Sequence, residues 1–336
     1  MSGNSSSRDS SSPVSRRGLL GAAAALAATA SLPASGLFIA RRASAALGPA
    51  AGRSPAVGAV AEESAHGGAP ATEGSSWRLR LSASSINFMR LSVEEAARRI
   101  ARLGFEAIDL WSAHAGCPHL DDVLNRLGAE GLRKLLDETG LKLCGFSVYA
   151  GGYPRYAELL GRCGGGVAIR GSAPPCQPGE LSGRMKQFFE SLKGEIELAE
   201  RHDSRLAIEN HGHALLDSVD SIKAFVELNP SPRVGIALAP YHVQAAGESV
   251  EEAIRAAGKQ LFYFYAWQHA PGTGQLPGVG PTDFGPWLAE LARIGYAGYV
   301  NPFMHDEPPP DEMAELLLKS SAYLRRLAPR GAAAGG

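Results

Sequence analysis

The chain has few cysteines and fewer lysines than its size would suggest. Cys117, Cys144, Cys163 and Cys176 are its 4 cysteines, and no two of them have C-x-x-C spacing. A structural zinc knot and a disulfide-built scaffold are therefore poorly supported. Only seven lysines occur, none at the carboxyl end of a predicted strand; Lys142 lies near the start of one. That disfavours a Schiff-base mechanism. A G-x-S-x-G nucleophile elbow is missing, and no G-x-G-x-x-G follows the first predicted strand, against a dinucleotide-binding sheet. The glycine-rich run 271–280 lacks G-K-[ST] and reads as a loop over a rim rather than a phosphate cradle. Neither charge sign dominates: Lys+Arg 33 stand against Asp+Glu 34. Residues 1–45 hold Arg8, Arg16, Arg17, Arg41 and Arg42 against Asp9 alone, which leaves 28 basic and 33 acidic residues in the remainder. A chain acidic outside its first segment lacks the basic face that neutralises phosphates, so no nucleic acid partner is expected.

What is present begins with an address. Ser15-Arg16-Arg17-Gly18-Leu19-Leu20 leads into an uncharged, alanine-rich stretch to Ala40, then Ala43-Ser44-Ala45 as a small-x-small cleavage site. This pattern is similar to a twin-arginine export signal over 1–45, with the twin-arginine machinery as partner and a periplasmic or extracellular destination. The alternative is an uncleaved anchor, although Pro33, Gly36 and the many alanines make a poor membrane span. Residues 46–76 are rich in Ala, Gly, Pro and Ser without periodicity, which is the composition of a linker. Residues 328–336 read as a flexible tail.

From Trp77 to Leu327 short apolar runs alternate with amphipathic ones. Strands are predicted over 79–89, 105–111, 141–149, 166–171, 206–211, 234–242, 261–267 and 299–303. Helical spacing follows in Val93, Ala96, Ala97, Ile100, Ala101 and Leu103, opened by a Ser92/Glu95 capping box. The same spacing recurs in Phe188, Phe189, Leu192, Ile196 and Ala199, and in Val250, Ala253, Ile254 and Ala257. Gly104, Gly140, Gly258 and Gly295 stand where helices should end in the left-handed conformation. Eight strand–helix units over about 250 residues match a single-domain α/β (β/α)8 TIM barrel.

A barrel places its chemistry at the carboxyl ends of its strands. Six of the 9 histidines fall there: His114, His211, His213, His242, His269 and His305. Each alone is more often a loop or core residue; delivery from five strands to one rim argues for a common site. Glu209, His211 and His242 are the candidate catalytic residues. Asn87, His114, Arg170, Trp267, Gln268, Asn301 and His305 are candidates for substrate binding, with Asn210 close by. Such hydrogen-bonding groups beside aromatic faces suit a polyhydroxylated ligand. Arg170 ends the fourth strand and could meet an anionic substrate; an ion-paired arginine is the alternative.

Several segments resemble the xylose-isomerase-like barrels, a superfamily that includes sugar phosphate isomerases/epimerases and endonuclease IV relatives. The likeness rests on Leu206-Ala207-Ile208-Glu209-Asn210-His211-Gly212 and on Val234-Gly235-Ile236-Ala237-Leu238-Ala239-Pro240-Tyr241-His242. Leu276-Pro277-Gly278-Val279-Gly280-Pro281-Thr282-Asp283-Phe284 and Gly295-Tyr296-Ala297-Gly298-Tyr299 extend it. The resemblance implies one Mn²⁺- or Co²⁺-like ion held by Glu, Asp, His and Glu from strands 5 to 8. Of these, Glu209 matches. The Asp position falls at Ala239, with His242 retained beyond it. The His position falls near Tyr265, with Gln268 and His269 following. The last Glu falls near Phe303, between Asn301 and His305. A divalent metal therefore needs a different ligand set, with Glu209, His242 and His269 as the best trio; imidazole-rich sets favour Zn²⁺ over Mg²⁺, and Mn²⁺ is the other choice.

The chemistry implied is isomerisation or epimerisation of a carbohydrate, with Glu209 or a histidine moving the proton next to a carbonyl and neutral imidazoles stabilising the enediolate oxygen. Two alternatives use the same residues: a lyase or hydratase acting on a 3-keto-sugar or glycoside, and a non-catalytic carbohydrate-binding barrel that has lost the metal site. A homo-oligomer is compatible with each.

Overall fold

The computed structural model describes residues 77–112 and 116–329. The expected export signal and linker, His114 and most of the expected tail lie outside the described residues. All the described residues belong to one unit, Pro70–Gly336.

Eight parallel strands pair in sequence order: β1 (Ser82–Ser84), β2 (Ala107–Trp111), β3 (Lys142–Ser147), β4 (Gly166–Gly171), β5 (Ser204–Glu209), β6 (Val234–Leu238), β7 (Leu261–Ala266) and β8 (Val300–Pro302). A parallel bridge between Leu81 and Val300, with the Val300 amide donating to the Arg80 carbonyl at 2.8 Å, joins the last strand to the first. The result is the expected TIM barrel. Its outer layer comprises α1 (Val93–Arg102), α2 (His119–Asp122), α3 (Gly128–Thr139), α4 (Tyr153–Arg162), α5 (Leu181–Ser191), α6 (Lys193–Arg201), α7 (Val219–Leu228), α8 (Pro240–Ala245), α9 (Val250–Ala257), α10 (Gly285–Arg293) and α11 (Pro310–Leu327). The Ser92/Glu95 capping box forms in both directions at the start of α1. Gly104, Gly140, Gly258 and Gly295 have the positive φ expected of helix ends.

Two cores follow from the two-residue period of the strands. Leu81, Ala83, Ile108, Leu110, Phe146, Ala168, Leu206, Ile208, Ile236, Leu238, Phe264 and Val300 face the helices. Val167, Ile169, Ala207, Ala237, Ala239, Tyr263, Tyr265, Trp267 and Phe303 fill the lumen. Small residues on β5 and β6 leave space that the large rings of β7 occupy. Two register shifts break the period, one between β6 and β7, where Ile236 pairs with Leu261 and Ala237 with Tyr263, and one between β2 and β3. Ile108 pairs with Leu143 and Asp109 with Gly145, so Cys144 is the extra residue. A Cβ on Gly145 would lie 2.8 Å from Ile169 Cδ1 and 2.9 Å from the Val167 carbonyl oxygen, so only glycine fits there.

Four predicted strands are shorter by one to three residues, and three predicted elements depart further. The first strand ends at Ser84 and continues as a 3-10 turn over Ser85–Phe88. The sixth ends at Leu238, because Pro240 is at the first turn of α8 and cannot extend the sheet ladder. The apolar spacing around Phe188–Ala199 is divided at Leu192 into α5 and α6.

Candidate active site at the barrel mouth

β5 carries the acidic centre. Parity along the strand turns Ala207 and Glu209 into the lumen and Leu206 and Ile208 outward. Glu209 is 8% exposed, and its Oε2 accepts a 2.6 Å hydrogen bond from the Tyr149 hydroxyl. Burial pushes its carboxyl up to about 7, against the lowering effect of Tyr149. The next residue, Asn210, is a clamp. Its Oδ1 accepts from the Ala239 amide at 2.6 Å and its Nδ2 donates to the Ala239 carbonyl at 3.2 Å. That bond pair holds the end of β6 against β5 and so fixes where α8 begins.

α8 then presents His242 from its first turn. The His211 and His242 ring centroids are 4.0 Å apart. Burial pushes the His242 imidazole down to about 3, and His211, His305 and His269 add to the lowering. His242 is thus neutral at physiological pH, and its Nε2 is buried without a hydrogen-bond partner. Tyr241 stacks on Trp267 at 4.4 Å and meets His269 edge-on at 4.9 Å. Trp267 also meets His242, Phe303 and His305 at 5.2, 5.2 and 4.8 Å. Phe303 stacks on Trp111 at 5.4 Å and Trp111 packs on Tyr149 at 5.1 Å. One continuous series of ring contacts therefore runs from the hydrogen-bond partner of Glu209 round to the histidines.

Trp267 is fixed from beyond β7. Its Nε1 donates to Gln275 Oε1 at 2.7 Å, and the same oxygen accepts from the His305 amide at 3.2 Å. Gln268 donates to the Leu276 carbonyl at 2.8 Å and accepts from the Thr282 amide at 2.7 Å. The loop over the rim is pinned at both ends by these two glutamines.

The expected residues sort clearly. His211, His242, His269 and His305 gather around one mouth with Glu209 and Trp267. Asn87, in the turn after β1, is buried and its Nδ2 has no partner. The expectation for Arg170 is corrected. It shares the outward parity of Ala168 and ion-pairs with Glu195 on α6, so it does not reach the lumen. Gln268 is corrected from a ligand contact to a loop anchor, since both ends of its amide are occupied. Asn301 is fully buried below the mouth, where it donates to Ser82 Oγ at 3.2 Å and the Tyr263 hydroxyl at 2.5 Å. His213 is exposed with φ 62. Sequence reasoning missed Tyr149, Tyr241, Tyr265, Gln275 and Asp109. The strand parity that puts Trp111 in the lumen does the same for Asp109, and was the available signal.

Over residues 97–327 the chain matches the family model described as a xylose isomerase-like TIM barrel. The chain belongs to the xylose isomerase-like TIM barrel family. No curated protein sequence matches it significantly. Solved structures of similar fold include the 3-keto-D-glucoside 4-epimerase of E. coli, at 18% identity and a TM-score of 0.58 over 74% of this chain and 100% of that one. A probable 3-DHS dehydratase from Bacillus anthracis gives 13% and 0.59 over 73% and 99%. An IOLI protein with a binding zinc atom gives 14% and 0.59 over 74% and 98%.

The metal expectation does not carry over to this member. Among the described residues no group of three or more His, Cys, Asp or Glu side chains is placed to hold an ion, which corrects the trio Glu209, His242 and His269. The reason lies in the donor set. Tyr265 on β7 and Phe303, just past the end of β8, occupy lumen positions where the resemblance implies ligands, and their rings pack on each other at 5.0 Å. Ala239 offers no donor atom in its side chain. Glu209 is left as a carboxyl answered by a phenol.

Proposed function

We propose that the chain is an exported sugar isomerase- or epimerase-like enzyme that removes a proton next to the carbonyl of a carbohydrate. One observation carries this reading: the buried Glu209 carboxyl at the mouth, with a proton affinity near neutrality and a single hydrogen bond from Tyr149. A base works best when its pKa lies near the working pH. As a carboxylate, Glu209 takes the proton; the C–H electron pair moves into the carbonyl and leaves an enediolate. Neutral His242, with Nε2 unpartnered, supplies a hydrogen bond to the oxygen that gains charge, and the Asn87 Nδ2 offers a second donor. Return of the proton to the neighbouring carbon, with the hydroxyl proton passing from one enediolate oxygen to the other, gives an isomer; return to the same carbon from the opposite face gives an epimer. A sugar ketone is the favoured substrate class, in keeping with the E. coli epimerase of the same fold.

The test is a panel of keto-sugars and 3-keto-glucosides followed by mass spectrometry and NMR. New stereochemistry at unchanged mass supports the reading. Loss of water or an aglycone replaces it with the lyase or hydratase alternative. Calorimetric sugar binding with no turnover, unchanged in Glu209→Gln, overturns it in favour of a binding barrel. Export through the twin-arginine route rests on Arg16 and Arg17. Replacing both by lysine should retain the protein inside the cell, and unchanged fractionation would remove that part of the proposal. Among the described residues no helix is long and apolar enough to cross a membrane.

A further inference from the structure

The strand that carries Glu209 to the mouth carries a cation to the opposite end. Arg205 pairs with Val167, a lumen residue of β4, and precedes Ala207 and Glu209 at the same two-residue period. It therefore stands at the amino-terminal opening of the barrel, about 13 Å along β5 from Glu209. Alternate strands of such a barrel share layers of lumen side chains. The lowest layer of the odd strands holds Arg80 before β1, Lys142 on β3 opposite the lumen residue Ala107, Arg205 on β5 and Phe262 on β7. Val167, Ile169, Ala207 and Tyr263 fill the lumen above it, so this end is separate from the mouth.

The cations of this layer are held in place. A Cβ on Gly235 of β6 would lie 2.6 Å from Phe262 Cδ2 and 2.5 Å from the Gln260 carbonyl oxygen, so a glycine there makes the seat for the Phe262 ring. The Arg205 guanidinium lies over that ring, 4.8 Å from its centroid. Arg80 lies over the Tyr299 ring at 4.0 Å, and it donates to the Tyr299 hydroxyl and, at 2.8 Å, to the Ala297 carbonyl. Arg205 and Lys259, in the turn before β7, line one cavity of about 310 Å³ with Phe262, Tyr296, Ala297 and Gly298, and no carboxylate lines it. The Ala297 and Gly298 amides on its wall have no acceptor among the described residues. Charge is unbalanced here. Arg78 and Arg233 are answered by Glu106 and Asp203 at 2.7 and 2.8 Å. Arg80, Lys142, Arg205 and Lys259 form no ion pair among the described residues. Like charges gathered without a counter-charge repel one another, and a bound anion offsets that cost.

We propose that this cavity is a second ligand site, taking a phosphate-type dianion at the end of the barrel opposite the mouth. Arg205 presents a planar fork that fits two oxygens of a tetrahedral oxyanion, and Lys259 adds a point charge. Two cations on one cavity match a doubly charged anion better than a single carboxylate. The ligand is a phosphate group, carried by a soluble molecule or by a lipid headgroup. The site stands apart from the proton-abstraction reading and does not depend on it.

Isothermal titration of the full chain with inorganic phosphate, at fixed low ionic strength and with chloride as the control anion, should give one saturable site, and phosphate should raise the melting temperature. Arg205 and Lys259 are both exposed, so Arg205→Gln and Lys259→Gln should keep the circular dichroism of the parent. Each should weaken phosphate binding at least about tenfold. Co-sedimentation with vesicles of phosphatidylcholine containing phosphatidic acid, against phosphatidylcholine alone, separates the two sources. Phosphate binding without preference for the acidic vesicles assigns a soluble ligand. Binding to the acidic vesicles that is lost in the double variant assigns a headgroup. Binding of neither probe, or no loss of binding to either in the double variant, would overturn the proposal.

Discussion

Burial moves Glu209 and His242, two of the titratable side chains at the mouth, in opposite directions, because desolvation disfavours whichever form is charged. It raises Glu209 to about 7 and lowers His242 to about 3. Both shifts leave the site less charged at neutral pH than its composition suggests. They also set how stability depends on pH. Between the ordinary carboxyl value of 4.5 and about 7 the folded chain holds the Glu209 proton that the unfolded chain has lost, so this contribution is present in acid and is lost as pH rises through 7. Asp109 behaves the same way between 3.8 and about 7. His242 does the reverse: between about 3 and 6.5 only the unfolded chain is protonated, so its contribution is lost as pH falls. Denaturant midpoints from pH 4 to 7 should therefore fall less steeply in Asp109→Asn than in the parent, by the slope of one proton. His242→Ala should remove the opposing slope, making the fall steeper. Parallel curves for either variant would contradict these environments.

At the scale of elements, the rim loop is held from within. Gln275 answers both the Trp267 indole and the His305 amide. Gln275→Ala strands a buried indole N–H, a loss of about 1–3 kcal/mol, and frees the segment that fixes Trp267. The expected outcome is a lower melting temperature with a KM raised on the order of tenfold. A lower melting temperature at unchanged KM would place Trp267 outside the substrate site. The eight strands and the helix ends were legible because both rest on local rules: the two-residue period, the capping box at Ser92 and glycine at left-handed positions. Strand 6 was read too long because its apolar run continues past Pro240, where the first turn of α8 takes over. Arg170 was legible in principle, since Val167 and Ile169 already occupy the inward parity. Its pairing with Glu195 was not, because that depends on the distance between distant segments. The clustering of His211, His242, His269 and His305 followed from barrel geometry. The clamp by Asn210 and the Tyr149 bond to Glu209 did not, since both cross between strands whose register no local pattern fixes.

Across the whole molecule, the barrel keeps the architecture of its family while its mouth departs from the implied metal site. Aromatic rings at Tyr265 and Phe303 stand where ligands would project, and the acid–base group is answered by a phenol. Prolonged dialysis against a strong chelator should leave both the melting temperature and turnover unchanged; a loss restored by Zn²⁺ or Mn²⁺ would contradict this reading of the mouth. The most direct test of Glu209 as the group that moves the proton is α-hydrogen exchange of a keto-sugar in deuterated water, followed by proton NMR for the parent and for Glu209→Gln. Exchange catalysed by the parent and reduced at least about a hundredfold in the variant is the predicted result. Equal exchange in the two proteins, or none with the parent across the panel, would contradict it.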